Sequence, residues 1–316
     1  MEYWQLPNSD LIVSRIGFGA EPLGGVDWGT LDETQVLTGV SRAIELGINL
    51  FDTADVYGLG RSETLLSKGL GSHRHEAIII TKFGVGWRQP EVGRAETYLD
   101  SSPTRVVEAL EASLYRLRID CVPIYLVHWP DPHTPIDSTM QALLECQKAG
   151  KVRYFGVSNY SLAQVRTALK TSALAVLQTE YSLVNRTAEK DLFPFCQRQS
   201  IGVLVYGSLA QGLLTGKYGT ESKFSTDDRR HRLPSFQGEN LRRNLEIAER
   251  VKVVSSKVNK SPAQVALRWV LDQPGVSGAI VGVKTVDQAE NNSGAMGWHL
   301  SPEDRTYLEY GDIHDE

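Results

Sequence analysis

Apolar positions along the chain fall into short runs, each followed by a stretch with helical spacing or by a loop leading to one. The first fifteen residues stand apart. There Tyr3, Leu6, Leu11 and Val13 surround the turn-like Pro7-Asn8-Ser9-Asp10, which predicts a small hairpin serving as a lid rather than as part of a core. The regular pattern then begins. Strands are predicted over 16–19, 48–52, 77–82, 122–127, 152–157, 174–178, 203–206 and 278–281. Helices are predicted over 32–46 behind Asp32 as a cap, with Gly47 closing it, and over 62–70, 102–118, 136–149, 162–169, 192–199, 262–271 and 286–292. Pro103 suits the first turn of its helix, where a missing donor costs nothing, and Gly150 ends the helix before it. Pro123, at the start of a strand, is unusual but tolerated where no ladder donor is needed.

Strict alternation of strands and helices implies a parallel sheet, because parallel neighbours need crossovers, and eight such units in 316 residues suit a closed α/β barrel. The predicted fold class is therefore a (β/α)8 TIM barrel, one domain over 1–316, with an N-terminal hairpin and extra helices near the C-terminus. An open doubly wound sheet is the alternative. Gly17-Phe18-Gly19 and Gly24-Gly25 lack the third glycine and the following helix that a dinucleotide fingerprint needs there. A loop rich in Gly, Gln and Arg over 83–101 connects one strand to the next helix, and two stretches fall outside the alternation: a polar segment over 207–238 with Lys217-Tyr218, Asp227-Asp228-Arg229-Arg230 and Pro234, and a helical region over 240–257.

Barrel strands present their C-terminal ends to one face. The residues there are Asp52, Lys82, His128, Ser158 with Asn159, Gln178, Tyr206 with Ser208, and Gly282 with Lys284, a polar set fed by apolar strands. Tyr57 follows Asp52 within a run that stops at an acid and turns. A tyrosine is a poor proton donor near neutrality, and a nearby ammonium lowers its pKa, so Lys82 is expected to tune Tyr57 downward. A buried lysine needs a counter-ion, for which Asp52 is the candidate, and His128 would orient a substrate oxygen. Singly, Asp52 reads as a helix cap, Tyr57 as a packed aromatic, and Lys82 and His128 as ordinary surface or core residues; their coincidence on consecutive strands favours chemistry.

Composition removes several classes of function. A net charge of −5 with dispersed basic residues forms no stripe for a phosphate backbone, so nucleic acid is not an expected partner. No basic leader precedes an apolar core, and no stretch approaches the ~20 apolar residues needed to cross a bilayer, which predicts a cytoplasmic protein without membrane association. Cys121, Cys146 and Cys196 are widely spaced and odd in number, which points to reduced thiols, and the close pairs His73/His75 and His128/His133 lack metal-ligand spacing, so no metal is expected. Oligomeric state is not legible.

Phe51-Asp52-Thr53-Ala54-Asp55-Val56-Tyr57-Gly58 with Ser62-Glu63, then Thr81-Lys82 and Val127-His128-Trp129-Pro130, closely resembles the aldo-keto reductase superfamily. The resemblance continues through Gly156-Val157-Ser158-Asn159, Gln178-x-x-Tyr181, the run from Tyr206 to Gly212, Leu214-x-Gly216-Lys217 and Gln288-x-x-Asn291-Asn292, so it spans nearly the whole chain. It implies a (β/α)8 barrel that binds NADPH, less often NADH, and reversibly reduces aldehydes and ketones. It further implies Tyr57 as general acid, Lys82 and Asp52 as its tuning pair and His128 as the orienting group. Ser158, Asn159 and Gln178 would hold the carboxamide and Tyr206 would stack on the nicotinamide. Ser208, Leu209, Gln211 and Lys217 would meet pyrophosphate and ribose, and Gly282, Lys284, Thr285, Gln288 and Asn292 the adenosine end.

Two departures concern the cofactor. Many NADPH-dependent members carry a basic residue where this chain has Gly282 or Gln288, and an acid where it has Asn291, which leaves Lys284 as the nearby cation for a 2'-phosphate. A redox-sensing partner subunit, like the potassium-channel β-subunits of the superfamily, and a Lys82-dependent aldolase are the competing readings. Trp28, Trp87 and Trp129 are expected to wall a substrate pocket with the 207–238 segment, and Arg88, near the mouth, reads first as a solvated arginine and second as an attractor of anionic carbonyl compounds.

Overall fold

A computed structural model describes residues 1–26, 32–88, 95–226 and 228–312. Its strands are β1 (Tyr3–Gln5), β2 (Ile12–Ser14), β3 (Ile16–Gly19), β4 (Leu50–Asp52), β5 (Ile78–Phe83), β6 (Val85–Arg88), β7 (Glu96–Leu99), β8 (Val122–Val127), β9 (Val152–Ser158), β10 (Val176–Glu180), β11 (Gly202–Tyr206) and β12 (Val276–Gly282). Eight of them, β3, β4, β5, β8, β9, β10, β11 and β12, pair in parallel in that order and close into a barrel as β12 meets β3. The crossovers carry α1 (Glu33–Glu45), α2 (Arg61–Leu70), α3 (Pro103–Leu117), α4 (Ile136–Lys148), α5 (Leu162–Ala168), α6 (Leu192–Arg198), α7 (Gly238–Val258), α8 (Pro262–Leu271) and α9 (Val286–Ser293), and α10 (Pro302–Tyr310) follows.

Local chemistry explains the helices. The Asp32 side chain accepts from the backbone N–H groups of Thr34 and Gln35, and α1 then buries Val36, Gly39, Val40 and Ala43, one stripe at helical spacing. Ser102 caps α3 with Pro103 at its first position, and Ser161 and Ser261 form capping boxes with Gln164 and Gln264. Pro123 lies one residue before the β8 ladder to β5 begins at Ile124, so its missing donor breaks none of those pairings.

Three elements differ from the sequence expectation. The region predicted as a loop over 83–101 contains the antiparallel hairpin β6–β7, whose β7 is wholly exposed and so lacks the apolar alternation that would mark it. Gly86 pairs with Tyr98, and the Arg88 guanidinium lies 5.2 Å from the Tyr98 ring, so an aromatic covers the glycine and the hairpin is held by side chains across the strands. Residues 89–94 of the expected loop lie outside the described ones. Helix α10 is among the extra helices expected near the C-terminus, but its position was not assigned, although Ser301 caps it and Pro302 opens it. The N-terminal hairpin β1–β2 is more than a lid: Leu6, Leu11 and Val13 join Leu50, Ile78, Ile80, Ile124, Leu126, Val176, Leu204 and Ile280 in one buried cluster.

The hairpin therefore fills the barrel from the N-terminal ends of its strands. A Cβ on Gly202, the first residue of β11, would meet Leu6 Cδ2 at 2.9 Å. Leu6→Ala should accordingly cost about 2–5 kcal/mol of stability, read as a lowered urea midpoint at unchanged slope. Plugging one end leaves the other to carry chemistry. Among the described residues no helix is long and apolar enough to cross a membrane.

Candidate active site

Each functional side chain reaches the C-terminal mouth because it ends or follows a barrel strand. Asp52 is the last residue of β4, Lys82 sits in β5 paired with Leu126, His128 follows β8, Ser158 ends β9, Gln178 lies in β10, and Tyr206 ends β11. Tyr57 comes from the turn after β4, where its N–H donates to Ala54 O at 3.2 Å. Gly58 has φ 60°, and a Cβ there would lie 2.3 Å from Gly24 O. Gly24 and Gly58 thus let two loop backbones touch, which is the structural use of a glycine pair that carries no nucleotide fingerprint.

Lys82 is fully buried and its Nζ donates to Asp52 Oδ1 at 2.7 Å and to Thr53 O at 2.9 Å, while lying 3.5 Å from the Tyr57 hydroxyl. Those three neighbours match the three donors of an ammonium. Gln178 Nε2 donates to the other Asp52 oxygen at 2.7 Å, so both carboxylate oxygens are held. His128 packs edge-on to Tyr57 with ring centroids 5.5 Å apart, and its Nδ1 has no hydrogen-bond partner among the described residues. Burial, and secondarily the Lys82 charge, push the His128 pKa well below the usual imidazole range, so the ring is neutral near pH 7.

Tyr57 does not behave as expected from its lysine neighbour. Burial raises its pKa well above 10, Glu21, Asp52 and Tyr206 raise it further, and Arg229 opposes them. Desolvation leads and the two acids act in the same direction, while Lys82 is paired with Asp52 at 2.7 Å, so the sign in the resting site is upward. The hydroxyl is protonated throughout the neutral range.

A cavity of roughly 620 Å³ runs from this cluster across the mouth, a size suited to a ligand site. Its wall includes Asp52, Tyr57, His128, Trp129, Ser158, Asn159, Gln178, Tyr206, Ser208, Leu209, Gln211, Lys217, Gly282, Lys284, Gln288 and Asn292. Asn159 ties neighbouring strand ends together: its Nδ2 donates to His128 O at 3.0 Å, and its Oδ1 accepts from the Tyr206 hydroxyl at 2.7 Å. The Ser208 hydroxyl is buried without a hydrogen-bond partner among the described residues. At the far end Gln288 Oε1 accepts from Lys284 N at 2.7 Å, and Lys284 is held below the usual lysine range by burial and by the Arg230 charge.

Some expected residues lie elsewhere. Thr285 caps α9, accepting from Gln288 N, and does not line the cavity. The Trp87 ring lies 5.3 Å from the Arg105 guanidinium and is likewise off the cavity wall. Arg88 stacks on Tyr98 rather than facing the mouth, so the expected attraction for anions has no support there. Trp28 and Asp227 lie outside the described residues. Sequence reasoning missed Glu21 and, as a partner, Arg229. Glu21 Oε1 accepts from Arg229 Nη1 at 2.6 Å at the cavity wall, across 208 positions of sequence, a separation no local pattern could bridge. Val26, Val56 and Val85 line the same wall, and they too were unremarked.

A sequence profile of the aldo/keto reductase family matches residues 15–310. The aldo-keto reductase YhdN of Bacillus subtilis is 37% identical over 308 residues, covering 96% of this chain and 92% of its own. The NADH-specific methylglyoxal reductase of Escherichia coli is 32% identical over 314 residues, covering 96% of each chain. Among solved structures, the glycerol dehydrogenase of Gluconobacter oxydans superposes with a TM-score of 0.90 at 34% identity, covering 99% of this chain and 97% of that one.

Proposed function

The chain belongs to the aldo/keto reductase family, and from that premise we propose that it is an NADPH-dependent carbonyl reductase with Tyr57 as proton donor. Members of the family are oxidoreductases, generally reducing carbonyl groups with NAD(P)H. The observation that carries the finer reading is one constellation: a tyrosine hydroxyl 3.5 Å from a buried Lys82 paired with Asp52, beside a neutral His128, with Tyr57 and His128 on the wall of a cavity of roughly 620 Å³.

The residues along that cavity fit a dinucleotide. Ser158 and Gln178 offer hydroxyl and amide groups beside Tyr206, whose ring is held by its bond to Asn159. Ser208, whose buried hydroxyl has no partner among the described residues, and Leu209, Gln211 and Lys217 would meet the phosphates; Gly282, Lys284, Gln288 and Asn292 would meet the adenosine end. When bound, a reduced nicotinamide supplies the hydride. The protein's part is the oxygen of the substrate. Negative charge grows on it as the carbonyl is reduced, and Tyr57 gives it a proton while neutral His128 donates a hydrogen bond. As the proton leaves, the tyrosine oxygen gains charge next to the Lys82 ammonium, which lowers the cost of that step. Asp52, itself held by Gln178, fixes Lys82 in place rather than touching substrate. A Schiff-base role for Lys82 is disfavoured, since its ammonium is buried and held by two close acceptors.

Lys284 is proposed as the 2'-phosphate ligand. Its neighbour Arg230 is engaged by Asp228, with Nε donating to Oδ1 at 2.8 Å. Lys284→Ala should weaken NADPH binding by about 10- to 100-fold, the worth of a charge-assisted bond, and change NADH binding little, as read by fluorescence quenching. Equal losses for both cofactors would remove Lys284 as the discriminator. The valine and Trp129 wall suits a carbonyl with an apolar flank, and relatives named for methylglyoxal and glycerol make small oxygenated compounds the first to assay by cofactor absorbance.

A further inference from the structure

Behind the Tyr57 turn lies an acid that proton transfer does not use. Asp55 is fully buried, and its N–H donates to Lys82 O at 3.2 Å, so its backbone is tied to the strand that carries the lysine. Its Oδ2 accepts from Arg105 Nη2 at 2.9 Å, while Oδ1 has no partner among the described residues. Arg105 stands in the first turn of α3, with its guanidinium 5.3 Å from the Trp87 ring of β6, the same strand that sends Val85 to the cavity wall. Three segments therefore converge on one guanidinium.

We infer that Asp55 is a positioning residue for Tyr57: its ion pair with Arg105, covered by Trp87, pins the 53–60 turn to α3 and holds the tyrosine hydroxyl at Lys82. The inference rests on Tyr57 being the proton donor.

The neighbouring pair shows why stability does not account for it. Glu63 is also buried beside this site, but both its oxygens are used, accepting from Thr81 Oγ1 at 2.6 Å and from Arg116 Nε at 2.6 Å. Asp55 has one close side-chain partner, Arg105, helped weakly by the Val56 N–H, and among the described residues its Oδ1 makes no well-formed hydrogen bond, an arrangement whose desolvation cost a packed apolar residue would avoid. The charged groups facing it are Arg105 and Arg116 of α3 and Glu63 of α2, with the Tyr125 phenol of β8 also coupled to it. Burial lifts its carboxyl to about 7, with Arg105 pulling down, Glu63 pushing up and Arg116 pulling down. Since that value lies above the unfolded one, stability from this group is complete below the ordinary carboxylate pKa and is lost as pH rises through about 7. The ionised, paired form thus weakens the fold while ordering the turn. Acid has the opposite effect on the pair, which is broken as pH falls through about 7.

The test uses the full chain, with single-turnover reduction of the best carbonyl substrate by NADPH followed across pH for wild type, Asp55→Asn, Arg105→Met, their double variant and Tyr57→Phe. Single turnover keeps cofactor release from masking the step. Each single variant is expected to lose about tenfold in rate, since small misplacements of a reacting group are costly, with NADPH affinity unchanged. The double variant should be no worse than either single one, and the wild-type acid limb near 7 should vanish from all three. Wild-type rate and an intact limb in Asp55→Asn and Arg105→Met, or additive losses in the double variant, overturn the inference provided that Tyr57→Phe is inactive. Turnover in Tyr57→Phe instead sinks the proton-donor reading, and this inference with it. Should Asp55→Asn fail to fold, Arg105→Met, which alters a part-exposed side chain, decides the matter by the same two readouts.

Discussion

Tyr57→Phe lowers the rate of carbonyl reduction by about 10²- to 10⁴-fold, the usual worth of a positioned general acid, and leaves cofactor affinity near that of wild type. The expectation follows from what phenylalanine keeps and what it removes. The ring still packs edge-on against His128, 5.5 Å between centroids, so the shape of the cavity end is preserved. The hydroxyl is lost, and with it the group that lies 3.5 Å from Lys82 Nζ and can transfer a proton. His128 does not replace it, because burial keeps that imidazole neutral and its remaining role is a hydrogen bond. Because burial also keeps Tyr57 protonated well above neutrality, its proton is available across the neutral range, and no fall in rate there comes from ionisation of Tyr57 itself. A variant with full turnover on the best substrate sinks the mechanism.

Lys82→Met is expected to cost both stability and activity. The substitution conserves length but strands Asp52, buried and left with Gln178 as its close side-chain partner, and breaking a buried ion pair from one side costs about 3–5 kcal/mol. Urea unfolding should show that loss as a lower midpoint. The double variant Asp52→Asn/Lys82→Met removes both charges and should recover much of the stability, since no uncompensated charge remains. It should not recover reduction, because the ammonium that stabilises the departing proton's phenolate is still missing. Recovery of turnover in the double variant would show that Lys82 serves the fold alone.

The barrel was legible because its signal is local. The short apolar runs at Ile16–Gly19 and Val122–Val127 coincide with β3 and β8, and the Asp32 cap with the start of α1, since strand burial and helix capping depend on residues a few positions apart. The β6–β7 hairpin was not legible, because β7 is exposed and its stabilising contacts, Tyr98 over Gly86 and Arg88, cross between strands. The hairpin β1–β2 was seen as an element but not as core, since Leu6 and Val13 become buried only once eight other strands supply the cavity they fill.

The chain by itself determined which side chains arrive at the mouth: strand periodicity puts Asp52, Lys82, His128, Ser158, Gln178 and Tyr206 at or near one end of six successive barrel strands, and that placement needs no long-range information. Tertiary structure alone decided what those groups do to one another. The sign of the Tyr57 shift depended on desolvation and on Glu21, Asp52 and Tyr206, not on the lysine next to it. Trp87 went to Arg105 instead of the pocket, and Glu21 found Arg229 across 208 residues. Electrostatic effects and packing act through space, over distances that the order of residues does not encode.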